Sequence, residues 1–307
     1  MFGRRGSGPA VLLGLVVGLG GCANFQAVSE FARQTDQVSA VVRQEFKDLD
    51  ALCREQAELT IVVNNIPDDG PLDSCRAYKA GQGRLAAVTV DLLDAYAQAL
   101  QALADDRRYE PGAELGRLGE RVGSLQDRQG QPLISAGEAS ALANVVHMLS
   151  DIATLSRREA AVRRLLQERE ALAATAGILR SYFVREPGAP AGRARAPYVH
   201  QAALIADAYA GTEARLRSAV FQSAEPIRTI ELLRAGRERQ GELARRTSGE
   251  ATGVPATIAA ALDAWRAALD RFDGEALTPQ PREFLARLKH LRNEVRAARS
   301  AIAAEQN

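Results

Sequence analysis

Chemistry in this chain has few places to start: three cysteines (Cys22, Cys53, Cys75), three histidines (His147, His200, His290) and a scatter of arginine doublets. The histidines lie far apart. None falls in His-x-x-x-His or His-Glu-x-x-His, the spacings that put two zinc ligands on one helical face. His147 stands between Val146 and Met148, so it reads as a packed core or boundary side chain rather than a ligand or base. There is no Gly-x-Ser-x-Gly elbow, P-loop or Gly-x-Gly-x-x-Gly run. Asp68-Asp69-Gly70 offers oxygens to a calcium ion but lacks the alternating ligands of an EF-hand, and turn chemistry accounts for it better. Adjacent acids such as Asp105-Asp106 are inevitable among 38 acidic residues. Helical dimetal carboxylate enzymes need Glu-x-x-His on facing helices, and that tetrad is missing. The expectation is no catalytic constellation, no metal and no cofactor.

Arginine is more suggestive. Doublets stand at Arg107-Arg108, Arg157-Arg158, Arg163-Arg164 and Arg245-Arg246, whereas lysine occurs only at Lys47, Lys79 and Lys289. The planar guanidinium fork binds phosphate and carboxylate bidentately, which suits lipid head groups or acidic glycans. The competing reading is a solvated helix face, with pairs such as Arg164–Glu168 at i+4 spacing, and it is the default for charged faces. Arg193 and Arg195 sit in a Pro/Gly-rich stretch, followed by Tyr198 and preceded by Tyr182-Phe183. Those residues mark a candidate interaction loop at one end of the protein.

Cys22 has the most specific context. Arg4 and Arg5 precede an apolar run, Ala10 to Leu19, whose ten residues would rise about 15 Å as helix, half of a bilayer core. A basic start, a short apolar middle and small residues beyond it describe a secretory signal peptide. Its ending, Leu19-Gly20-Gly21-Cys22, resembles the lipobox of bacterial lipoproteins. The resemblance covers these first residues only. It implies cleavage before Cys22, a diacylglyceryl thioether on that cysteine and acylation of its new amine. Each buried methylene contributes about 0.8 kcal/mol, so several acyl chains anchor stably where one does not. Ala23 follows the cysteine, with no Asp to suggest inner-membrane retention. The resemblance thus implies the periplasmic face of an outer membrane.

An exported chain folds in an oxidising compartment, so the remaining pair, Cys53 and Cys75, is expected to form a structural disulfide. Their separation is far from Cys-x-x-Cys, which argues against a redox-active pair. Removal of residues 1–21 takes Arg4 and Arg5 from the 39 basic residues and leaves 37 against 38 acidic, a formal charge of −1 in place of +1. Such balance argues against a nucleic-acid partner.

The elements that must position these residues read as helices throughout. Val28, Phe31, Thr35, Val38, Val42, Phe46, Leu49 and Cys53 advance by three or four and predict a first helix ending near Asn64-Asn65. A second is expected from about Asp73, with Leu85, Val88, Leu92, Tyr96, Ala99 and Leu103 on one face, and a short third over about 113–126. No proline interrupts 133–186, and Leu142 to Phe183 keep helical register, so a single helix of about 50 residues and 75 Å is expected there. Further helices are expected from Pro197 to about Arg246, kinked at Pro226, and over 255–272 and 281–304.

The expected fold class is all-α: an elongated antiparallel bundle of long helices with one disulfide near the N-terminal helix pair. Residues 22–246 form the long-helix bundle, and 247–307 a C-terminal helical pair packed on it. A scaffold, adaptor or spacer of the envelope fits these features first, with another envelope protein, a lipid or a glycan as its partner. A carrier holding a lipid or small amphiphile between the helices is the alternative, and an envelope enzyme ranks last.

Overall fold

The computed structural model describes residues 16–64, 68–127, 129–155, 158–184, 253–275 and 282–306, with isolated positions between 207 and 241. Helices account for nearly all of them, and there is no strand among the described residues. The first helix, α1, runs from Val16 to Asn64, 49 residues and about 73 Å. Its stripe of Val28, Phe31, Thr35, Val38 and Val42 is fully buried. The β-branched run Ile61 to Val63 continues this helix, as expected.

The expected second helix is divided. Helix α2 spans Gly70–Tyr78, starting earlier than Asp73 because Pro71 presets the first turn. A π-helical turn follows at Lys79–Gly83, before α3 at Arg84–Ala104. Gly81 and Gly83 lower the helix propensity there, and such wide turns insert one extra residue into the helical ladder. The whole expected stripe of α3, from Leu85 to Leu103, is buried. Helix α4 spans Gly112–Gly123 and is followed by a tight turn. In that turn the Asp127 carboxylate accepts from the backbone N–H groups of Gln129 (2.9 Å) and Gln131 (2.8 Å).

The long helix expected over 133–186 is not formed. The chain makes three pieces instead: α5 (Ala136–Thr154), α6 (Arg158–Gln167) and α7 (Arg169–Arg180). Ser135 and Glu138 form a reciprocal capping box at the start of α5. At its end Leu155 is extended (φ −80°, ψ 127°), and Glu168 interrupts the ladder again (φ −98°, ψ 26°). Folding back lets α7 pack beside α5, which one straight rod forbids. Arg164 then reaches back to Asp151 at 3.0 Å while keeping its i+4 partner Glu168 at 2.9 Å. Burial of two apolar faces against each other outweighs the few helical hydrogen bonds lost at the breaks.

Helices α8 (Val254–Glu275) and α9 (Arg282–Gln306) pair closely and pack on α1, and α8 also meets α7. One apolar cluster joins residues of α1, α3 to α9. Phe31 is its hub, with ring centroids of Phe272 at 4.8 Å, Phe284 at 5.8 Å, Trp265 at 5.9 Å and Tyr96 at 6.4 Å. The Trp265 indole N–H donates to Thr35 Oγ1 (2.8 Å), which itself donates to the Phe31 carbonyl (2.8 Å). The polar atom on the α1 stripe is therefore satisfied inside the core.

Candidate functional site

Cys53 and Cys75 are bonded, tying α2 to the second half of α1. They form a small apolar cluster with Ala57 and Leu72, separate from the main core. The bond matters to the surface beyond it, because α2 leads straight into the π-helical turn. Tyr182, at the end of α7, donates its hydroxyl to the Gln82 carbonyl (2.8 Å) and to Gln82 Oε1 (3.0 Å), fixing that turn from the other side.

Between α1, the π turn and the first half of α3 lies an open groove of about 330 Å³. Its floor is apolar: Phe46, the Tyr78 ring, Ala87 and Val90. Its rim carries Arg43, Lys47, Lys79 and Arg84 against two carboxylates, Asp50 and Asp91. Both carboxylates are already engaged. Asp50 accepts from Lys79 (3.0 Å) and Arg54 (3.1 Å), and Asp91 from Arg121 (2.7 Å) and Arg43 (3.1 Å). Arg43 and Ser39 also bond to Asp94, closing a network between α1, α3 and α4. Burial draws the Arg43 pKa down, but its hydrogen bonds to Asp94 and Asp91 outweigh this and hold it above the ordinary value. Arg84 donates to the neutral Ser124 hydroxyl at 2.5 Å. Neither Arg84 nor Lys47 has an ion pair with a described carboxylate. The Tyr78 hydroxyl is buried without a partner, and that burial pushes its pKa far up.

A second groove of about 730 Å³ lies between α4 and α5, lined by small and apolar residues such as Gly119, Ala139, Ala143 and Val146. His147 lies on its edge and is exposed, not packed in the core or at its boundary as expected. Its sequence neighbours Val146 and Met148 say little, since adjacent residues of a helix point to different faces. A third groove, about 240 Å³, adjoins the Asp91–Arg121 pair. No group of three or more metal-ligating side chains occurs among the described residues.

The expected interaction loop rests on three residues. Arg193, Arg195 and Tyr198 lie outside the described residues. Tyr182 and Phe183 are buried, with Phe46 at 5.0 and 5.6 Å, so they pack inward and present no partner surface. Cys22 falls within the α1 backbone, five positions before Ala27, the first buried residue among those whose side chains are described, at 3% exposure. The 330 Å³ groove was not anticipated from the sequence. One signal pointed to it: two of the three lysines in the chain, Lys47 and Lys79, stand on its rim.

The fold is that of an all-α helical bundle. The chain matches no family model, and no curated protein or solved structure compared with it is similar.

Proposed function

We propose that the protein is a non-enzymatic scaffold or adaptor of a bacterial envelope, held by acyl chains on Cys22 at the periplasmic face of the outer membrane. The observation that carries this reading is the short path from anchor to core. Five helical steps, about 7.5 Å, separate Cys22 from the buried Ala27. An acylated Cys22 would hold the bundle directly against the bilayer, with no slack linker between them. A fixed stance suits a spacer or docking platform, whereas a shuttle between membranes needs reach. The balanced surface charge, paired in i+3 and i+4 steps such as Arg33–Glu30 (2.7 Å), favours protein or glycan contacts over nucleic acid. No described helix is long and apolar enough to cross a membrane, so anchoring in this reading falls to the lipid.

Mass spectrometry of the protein extracted from its native envelope tests the reading. A mature chain starting at Cys22 with diacylglyceryl and acyl mass is expected, and Cys22→Ser should leave the membrane fraction. An unmodified Cys22, or a Cys22→Ser protein still wholly membrane-bound after signal processing, overturns it.

A further inference from the structure

We propose that the groove between α1, the π-helical turn and α3 is a binding site for a single-chain amphiphile with one anionic head, of the fatty carboxylate class. The proposal is independent of acylation at Cys22. Charge complementarity selects the head. Asp50 and Asp91, the carboxylates of the rim, are each already held by two cations, so they do not neutralise the rest. Lys47 and Arg84 remain. Neither has a carboxylate partner among the described residues, and Arg84 is pinned through a neutral hydroxyl, Ser124 Oγ, that leaves its charge uncompensated. A carboxylate between them gains a point charge from the lysine and a planar fork from the arginine.

The floor selects the tail. Phe46 and Ala87 line the same groove as the cations with apolar surface, and a volume of about 330 Å³ lies at the small end of ligand sites. That is room for a short alkyl chain and too little for a helix of a partner protein. Two locks fix the wall: the Cys53–Cys75 bond before the π turn and the Tyr182–Gln82 hydrogen bonds within it. Among the described residues, the larger groove between α4 and α5 carries no comparable charge to recognise a head group.

Photolabelling tests this on the oxidised full-length chain carrying Cys22→Ser, so that none of its own acyl groups competes. The probe is decanoate bearing a diazirine in its tail, used below its micellar concentration, with labelled peptides mapped by mass spectrometry. Labelling is expected on residues 43–50 and 84–91, displaced by unlabelled decanoate but not by butyrate or decyltrimethylammonium. Lys47→Ala with Arg84→Ala should lower labelling at least tenfold while far-UV circular dichroism stays unchanged. Ala87→Trp, a change at an exposed helical position that fills the groove, should abolish it. Label spread over other surfaces, undiminished labelling in both variants, or equal displacement by the cationic amphiphile overturns the proposal.

Discussion

Replacing Cys53 and Cys75 together by serine removes the bond that holds α2 to α1. The bond closes a separation of 22 residues, and in the chain-entropy model such a crosslink stabilises by about 3.4 kcal/mol at 25 °C. Ahead of Tyr78, which packs on the main core, little else retains α2. It has nine residues, fewer than a helix needs to persist alone, and its Cys75 and Leu72 meet only Cys53 and Ala57 of α1 in a small cluster. Its exit is held by Lys79 to Asp50 on an exposed surface, a pair contributing under about 1 kcal/mol. Loss of the bond should therefore free α2 before anything else. Hydrogen exchange read by mass spectrometry is expected to show amides of residues 70–78 losing protection, while those of α3, α8 and α9 keep it. Guanidinium unfolding should show global stability lowered by about 3 kcal/mol, with a steeper slope because the unfolded chain is less constrained. Tyr78 and Lys79 wall the groove, so decanoate labelling should fall in the same variant. If residues 70–78 stay protected and stability changes by less than about 1 kcal/mol, α2 is held by something other than the disulfide and the argument fails.

Thr35→Val takes the acceptor from the Trp265 indole, and leaving a buried N–H unpaired should cost about 1–3 kcal/mol. Urea unfolding followed by fluorescence of this single tryptophan measures it, and an unchanged midpoint would mean the indole has another acceptor. Tyr96→Phe goes the other way: its hydroxyl is fully buried with no partner, so its removal should leave stability unchanged or raise it by up to about 1–3 kcal/mol. A drop of more than about 1 kcal/mol in thermal or chemical unfolding contradicts that. Alkaline pH should unfold the bundle cooperatively. Burial pushes Tyr109 up to about 12 and Tyr78 and Tyr96 higher still, whereas an unfolded phenol ionises near 10. Below pH ~10 both states are protonated and stability is intact. Above it the unfolded chain holds fewer protons, so stability falls by about 1.4 kcal/mol per pH unit for each such tyrosine. Phenolate absorbance should therefore rise together with loss of helical dichroism, and gradual ionisation with the helices retained would count against burial of these rings.

Helical periodicity made most of the core legible. The described stripes of α1 and α3 are buried almost position for position, because a residue every three or four along an apolar face has one way to escape water. The breaks were not legible. Nothing in the residue types around Leu155 forbids a helix, and Leu155 itself remains 36% exposed although it continues the stripe. The break there follows from what α5 and α7 gain by lying side by side. His147 is exposed for a related reason, since its apolar neighbours in sequence occupy other faces of the helix.

The sequence by itself determined the helical class, the core-facing residues and the pairing of Cys53 with Cys75, and it holds the run Leu19–Cys22 whose resemblance to a lipobox underlies the proposed anchoring. These are local matters: propensity, period and motif act over a few residues. Only tertiary structure decided that Lys47 and Arg84 share one groove, that Asp50 and Asp91 are already occupied, and that the Tyr78 hydroxyl is left alone. Those facts depend on the register between α1 and α3 and on a π turn held by a disulfide on one side and Tyr182 on the other. Register is set by how complete side chains fit across an interface, and no single helix carries that information.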